Sequence, residues 1–180
     1  MTVAEFLTIP DDGKRRWLID GELREEAIRF REASNAIALT NIVGPLTIWS
    51  NETDRRFGTV ACGEASIQFS NLPETFIGID AVFVSKEMMA KQTDENPYFY
   101  GVPTLVVEIL SRKSRFEYLQ EKIATYRSAA VPLVWVIDPR ERTVAIYEHG
   151  KEPMMADVHS NLTGGDVLPG FSVPVSRLFE

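Results

Sequence analysis

The sequence predicts an α/β protein with a mixed β-sheet flanked by helices. Residues 105–110 and 132–137 are short, continuous apolar runs, which is typical of strands buried on both faces of a sheet. Between them, residues 115–129 carry apolar side chains at the spacing of one helix face: Leu119, Ile123 and Tyr126. A strand, a helix and a second strand form a crossover unit, and such a unit implies two parallel strands.

The N-terminal part of the chain predicts two helices and a hairpin. Residues 2–5 fit a capping box at the start of a short helix. The pair at 20–21, Asp-Gly between two apolar segments, indicates a β-hairpin. Either Ser34 or Asn35 fits as the N-cap of a longer helix, in which the Gly-Pro pair at 44–45 predicts a kink or a restart.

The remaining apolar segments predict further strands. Residues 59–62, 65–69 and 77–84 are close together in the sequence, so we expect them to pair antiparallel. Residues 143–147 fit as the hairpin partner of the last buried strand. The apolar tail at 168–179 is expected to pack back on the domain or on a partner.

Length and composition favour one soluble domain that spans residues 1–180. The single cysteine, Cys62, excludes an intramolecular disulfide and a zinc site made of four thiolates. No apolar stretch approaches the roughly 18 residues of a membrane span. The N-terminus lacks the pattern of a secretory signal, so a cytoplasmic location is expected.

The net charge of −7 does not by itself indicate a protein that binds nucleic acid. Local basic clusters nevertheless occur, and most of them fit solvated surface patches. One cluster differs because it directly follows the apolar run around Glu108: Arg112, Lys113 and Arg115. These three side chains are candidates for contacts with phosphates.

Glu108 stands inside the otherwise apolar run 105–110, where an ionised carboxylate costs several kcal/mol unless a cation compensates it. Asp80 lies in the preceding predicted strand, and Lys122 lies on the following helix, beside the face that packs on the sheet. Two carboxylates and one lysine suit metal-assisted hydrolysis of a phosphodiester, because carboxylate oxygens hold Mg²⁺ and the cation orients a water. The backbone carbonyl of Ile109 would be a further metal ligand.

An aspartate on one strand, Glu-x-x-Ser on the next strand and a lysine in the following helix resemble the PD-(D/E)XK nuclease superfamily. Within it, the chain is similar to the Uma-type restriction endonuclease family. The stretches that carry this resemblance span nearly the whole chain in order: 17–23, 80–85, 105–111, 121–126, 131–139 and 165–171.

The resemblance implies a restriction-endonuclease-like fold and a Mg²⁺-dependent endonuclease, with Mn²⁺ as a possible substitute. It implies that Asp80 and Glu108 bind the metal. Lys122 would orient or activate water, in place of the lysine that the superfamily puts two residues after the glutamate, where this chain has Leu110. It also implies that Glu64 faces the same site. DNA would be the substrate, and a homodimer would supply the two active sites that cut two strands.

Three residues depart from the family pattern. Ile79 stands where the family has a proline before the aspartate, Asn35 where many members have a histidine, and Arg112 where a proline is usual. These departures leave both acidic residues and the lysine in place.

Structural explanations compete with the catalytic one at each position. Asp80 could lie in an exposed turn, Glu64 could be a turn residue at a strand start, and Lys122 could cover apolar surface with its stem. At the level of the whole chain, the alternative is a catalytically silent nuclease fold that binds nucleic acid or serves in assembly. That alternative predicts that Asp80, Glu108 and Lys122 are either far apart or paired in salt bridges. A metal-dependent hydrolase of small phosphate esters is a third possibility.

Overall fold

The computed structural model describes residues 1–27, 30–53, 55–93, 96–111 and 116–180. Its helices are α1 (Val3–Phe6), α2 (Ala33–Glu52), α3 (Lys86–Met89) and α4 (Phe116–Ser128), followed by a final 3-10 helix (Val175–Phe179). Its strands are β1 (Lys14–Ile19), β2 (Glu22–Ala27), β3 (Thr59–Gln68), β4 (Phe76–Val84), β5 (Phe99–Tyr100), β6 (Leu105–Ile109), β7 (Leu133–Asp138), β8 (Thr143–Glu148), β9 (Met154–Ala156), β10 (Asn161–Gly164) and β11 (Leu168–Pro174). No helix in the described ranges is long and apolar enough to cross a membrane.

The described strands form a nine-stranded mixed sheet and a small separate sheet of β10 and β11. The main path through the large sheet runs β2-β1-β4-β6-β7-β8-β9, while β3 pairs with both β4 and β5. Strands β6 and β7 are parallel, which confirms the predicted crossover through α4. Strand β4 is antiparallel to both β3 and β6. The predicted α/β fold with a mixed sheet flanked by helices is therefore confirmed.

Helices cover the two faces of the sheet. On one face, α2 packs through Ile42 and Leu46 in the same buried cluster as Val107 of β6. On the other face, α4 packs through Ile123 and Tyr126. Every residue of β6 is buried, as the unbroken apolar run predicts, so Glu108 lies in a strand covered on both sides.

The C-terminal tail packs on its own chain. Leu168, Phe171, Val175 and Leu178 are buried in the cluster formed by α2 and the sheet. These side chains are buried within the protomer, which is the first of the two predicted alternatives, packing on the domain rather than on a partner.

Three local features differ from the sequence prediction. Helix α2 begins after Glu32, which makes no side-chain cap hydrogen bond, rather than after Ser34 or Asn35. The helix is continuous through Pro45, where the lost amide donor is offset by the burial of neighbouring apolar side chains. Strand β3 is one strand with a bulge between Cys62 and Ala65, and not two strands.

Candidate functional site

Asp80 and Glu108 lie opposite each other on adjacent antiparallel strands. Strands β4 and β6 pair Ala81 with Val107, and the same register continued by one residue places Asp80 across from Glu108. Directly opposed residues of antiparallel strands project to the same face. Both carboxylates therefore lie on the face that α4 covers, and both residues are buried. The explanation of Asp80 as an exposed turn residue does not hold.

Helix α4 brings two donors to Glu108. Lys122 and Tyr126 are one turn apart, so they project from the same side of the helix. The Lys122 Nζ atom donates to Glu108 Oε1 at 2.9 Å, and the Tyr126 hydroxyl donates to the same oxygen at 2.6 Å. Lys122 Nζ also donates to the Gly78 carbonyl at 3.1 Å and lies 5.7 Å from the ring centre of Trp17. These contacts fix Lys122 as the charge partner of a buried carboxylate.

Tyr126 is held in its neutral form. Burial raises the pKa of its hydroxyl well above the ordinary value, and the negative charge and hydrogen bond of Glu108 raise that pKa further. The hydroxyl therefore remains a proton donor to Glu108 at every pH near neutrality.

Asp80 has different partners. Its Oδ1 atom accepts from Arg31 Nη2 at 2.7 Å, and its Oδ2 atom accepts from the backbone amide of Ile109 at 2.8 Å. The guanidinium supplies the charge and the amide fixes the orientation. The predicted role of Ile109 concerned its carbonyl; the contact found here uses its N–H group. The carbonyl remains a predicted metal ligand.

Glu64 projects from the bulge of β3. Its backbone has a φ of 63°, next to Gly63 at 87°, and its carboxylate forms an ion pair with Arg15, in which Oε1 lies 3.1 Å from Nε. Burial lowers the pKa of Arg15, but the carboxylates of Glu64, Glu108 and Asp80 outweigh that effect and raise it. Arg15 Nη2 is buried, with no hydrogen-bond partner in the described part of the chain.

Apart from Tyr126, the side chains described above line one cavity of about 380 Å³. Its wall includes Lys122 and the three acidic residues that the resemblance assigns to the site: Glu64, Asp80 and Glu108. Asn35 also lines it and donates to the Leu110 carbonyl at 3.2 Å. The remaining described lining residues are Arg15, Trp17, Glu26, Ala27, Phe30, Arg31, Ile109, Leu110, Ser111, Tyr118 and Leu119. The predicted phosphate contacts Arg112, Lys113 and Arg115 lie outside the described residues.

The donor set fits a magnesium ion better than a transition metal. Within the described ranges, no three His, Cys, Asp or Glu side chains are grouped closely enough to enclose a metal. Mg²⁺ does not need such a cage, because it keeps several waters and binds through one or two carboxylates plus substrate phosphates. The opposed carboxylates of Asp80 and Glu108 meet that requirement, provided that Arg31 releases Asp80.

Sequence reasoning missed two residues of this cavity, Arg15 and Arg31, and the buried Tyr126, which contacts Glu108. Arg15 belongs to the basic triplet at 14–16, which the sequence indicates as a surface patch. Along a strand, successive side chains alternate between the two faces. Arg15 therefore lines the cavity, whereas Arg16 pairs with Asp12 and Glu25 outside it. Arg31 had no local signal. Tyr126 lies four residues after Lys122 in the sequence, but this spacing equally fits a helix face that only packs on the sheet.

Comparisons with known proteins bear on the family and the fold of this chain. The family model described as "Putative restriction endonuclease" (Uma2) matches residues 3–176. Among solved structures, the chain is similar to the crystal structure of "a putative nuclease belonging to DUF820" from Anabaena variabilis ATCC 29413. The TM-score is 0.82 at 17% identity, with 99% of this chain and 97% of that chain covered, so this likeness concerns the fold. No curated protein matches the chain.

Proposed function

Since this chain belongs to the Uma2 family of restriction endonucleases, we propose that it is a Mg²⁺-dependent endonuclease that hydrolyses phosphodiester bonds in DNA. The observation that carries the proposal is the cavity in which two opposed, buried carboxylates and a buried lysine meet: Asp80, Glu108 and Lys122. Family membership supports the nuclease class. The metal, the substrate and the role of each residue are our proposal.

Asp80, Glu108 and the Ile109 carbonyl would hold the metal, and Mn²⁺ could replace Mg²⁺. When bound, the ion supplies positive charge that polarises the phosphate and offsets the charge that develops during hydrolysis. Lys122 would orient or activate a water, since its ammonium group is held 2.9 Å from Glu108 Oε1. Glu64 would serve as a further acidic group at the cavity wall.

The charge of the cavity favours a phosphodiester over a phosphate monoester. Among the described lining residues, three cations face four carboxylates, which leaves one excess negative charge: Arg15, Arg31 and Lys122 against Glu26, Glu64, Asp80 and Glu108. A divalent cation and a singly charged diester would bring this set to neutrality. A doubly charged monoester would leave it negative. This comparison argues against phosphate monoesters as substrates.

Two further parts of the proposal concern the partners. Arg112, Lys113 and Arg115 would contact DNA phosphates beside the cavity. A homodimer would place two cavities on one duplex, since one cavity serves one strand. A cytoplasmic location remains a prediction.

A second candidate is a catalytically silent nuclease fold that binds nucleic acid. Two observations favour it: the carboxylates of Asp80 and Glu108 are each paired with a basic side chain, Arg31 and Lys122 respectively. A protein of this kind would use the ion pairs for stability and would not need a metal.

Calorimetric titration with Mg²⁺ and Mn²⁺, followed by plasmid cleavage on the same samples, tests the proposal. We expect the wild type to bind metal and to cut, and Asp80→Asn and Glu108→Gln to lose both properties. Glu25→Gln is the matched control, because Glu25 pairs with Lys14 and Arg16 away from the cavity. A wild type that neither binds metal nor cuts would favour the binding module.

A further inference from the structure

The two ion pairs in the cavity differ in how firmly they are held. The side chains of Lys122 and Glu108 are 8% and 7% exposed, and Lys122 has additional contacts with the Gly78 carbonyl and the Trp17 ring. The side chain of Arg31 is 34% exposed, although its partner Asp80 is only 6% exposed. The pair of Lys122 and Glu108 is therefore enclosed, whereas Arg31 can leave Asp80 without opening the core.

Asp80 would keep its orientation after such a departure. Arg31 binds only Oδ1 of the carboxylate, while the Ile109 amide holds Oδ2 at 2.8 Å. This amide belongs to β6, which is buried along its whole length. One oxygen of Asp80 is thus fixed by the sheet, and the other is held by a side chain that can move.

A divalent cation and Arg31 compete for the same oxygen. Arg31 Nη2 lies 2.7 Å from Asp80 Oδ1. A metal ion bound to the same oxygen would therefore be repelled by the positive charge of the guanidinium. Metal binding at Asp80 therefore requires that Arg31 moves away. Arg31 itself lines the cavity, so the displaced guanidinium remains beside any bound substrate.

We propose that Arg31 is an exchangeable counter-cation, which neutralises Asp80 in the metal-free protein and moves to a phosphate oxygen of the nucleic acid when a divalent cation takes Asp80. A guanidinium suits both positions, because its planar donors match carboxylate and phosphate oxygens alike. The inference rests on the proposed nuclease function and adds to it a residue that couples metal binding to substrate binding.

The test is Mn²⁺ titration of the wild type and of Arg31→Gln without nucleic acid. We expect Arg31→Gln to bind Mn²⁺ about fivefold more tightly than the wild type. A partly exposed ion pair such as Arg31–Asp80 contributes up to about 1 kcal/mol, and in the variant the metal no longer has to break this pair. A gain of affinity cannot come from a folding defect. Arg16→Gln is the control, because it removes an ion-paired arginine that does not line the cavity.

The second arm measures binding of a short DNA duplex in Ca²⁺, with the intact duplex verified on a gel. We expect Arg31→Gln to bind more weakly than the wild type, with a salt slope lower by about one unit. Arg31→Lys retains the charge without the planar donors, and it should recover part of this loss.

The outcomes separate this inference from the proposed function. If the wild type binds Mn²⁺ and cuts DNA but Arg31→Gln binds Mn²⁺ equally or less tightly, the exchange is overturned and the nuclease stands. If Arg31→Gln binds Mn²⁺ more tightly but binds DNA as well as the wild type does, the transfer to phosphate is overturned. If neither protein binds metal, both proposals fail.

Discussion

Glu108 is tolerated in a buried strand because two donors share one of its oxygens. Lys122 supplies the positive charge and Tyr126 supplies a neutral hydrogen bond, both to Oε1. Removing Lys122 would leave the Glu108 carboxylate as an uncompensated buried charge, which costs about 3–5 kcal/mol.

Tyr126→Phe tests the neutral donor at this site. Loss of a hydrogen bond to a carboxylate should lower the free energy of unfolding by about 1–3 kcal/mol, measured by urea denaturation. The raised pKa of Tyr126 also sets a direction with pH. Below about pH 10, the pKa of an unfolded tyrosine, its contribution is constant, and above that pH it declines because only the unfolded chain loses the proton.

Alkaline titration of tyrosinate absorbance checks the second part. While both proteins remain folded, the wild type and Tyr126→Phe should give the same amplitude, because Tyr126 does not ionise in the native state. In guanidinium chloride, where all five tyrosines of the wild type are exposed, the wild type should titrate one more tyrosine than Tyr126→Phe. A larger native amplitude in the wild type would show that Tyr126 ionises while folded, contrary to this account.

Four elements assemble the site. The antiparallel pairing of β4 with β6 sets Asp80 against Glu108, and one turn of α4 sets Lys122 and Tyr126 over them. The bulge in β3 directs Glu64 to the same cavity. The geometry therefore depends on the register of β3 and β4, where Gly58 precedes the first paired residue.

Gly58→Ala should disturb that register. Gly58 has a φ of 140°, and an added Cβ would lie 2.0 Å from the Val84 carbonyl oxygen. Strain and clash together should lower the free energy of unfolding by about 2–4 kcal/mol. In the control Gly44→Ala, the new Cβ meets nothing within 4 Å, and the change should stay within about 1 kcal/mol. Urea denaturation measures both, and equal effects would contradict the steric explanation.

At the scale of the whole molecule, the charge predicts that the proposed binding of DNA would require a divalent cation. The chain carries a net charge of −7, and the described cavity wall has one excess carboxylate. A polyanion should therefore bind weakly until a metal reverses the sign of the local charge.

We expect the wild type to bind a short DNA duplex at least about tenfold more tightly in Ca²⁺ than in EDTA, at equal ionic strength. Asp80→Asn should largely lose this difference, and Glu25→Gln should keep it. Fluorescence anisotropy of a labelled duplex measures the affinities. Equal binding in EDTA would point instead to a metal-independent interface, for which the basic residues at 112–115 are the candidates.

The sequence by itself determined the layer architecture and the main chemical groups of the site. Unbroken apolar runs reveal strands covered on both faces, and apolar spacing reveals the helix between them, because burial leaves a periodic trace in local sequence. An acidic residue inside such a run is equally visible. Glu108, Asp80 and Lys122 could therefore be chosen before any contact was known.

Only the tertiary structure decided which groups meet those residues. Arg31 reaches Asp80 from 49 positions away, and Arg15 meets Glu64 across the same distance along the chain. Neither pair leaves a periodic trace, because an ion pair requires only that two side chains arrive at one point in space. For the same reason the tail could not be assigned to its own core or to a partner until its packing against α2 was seen.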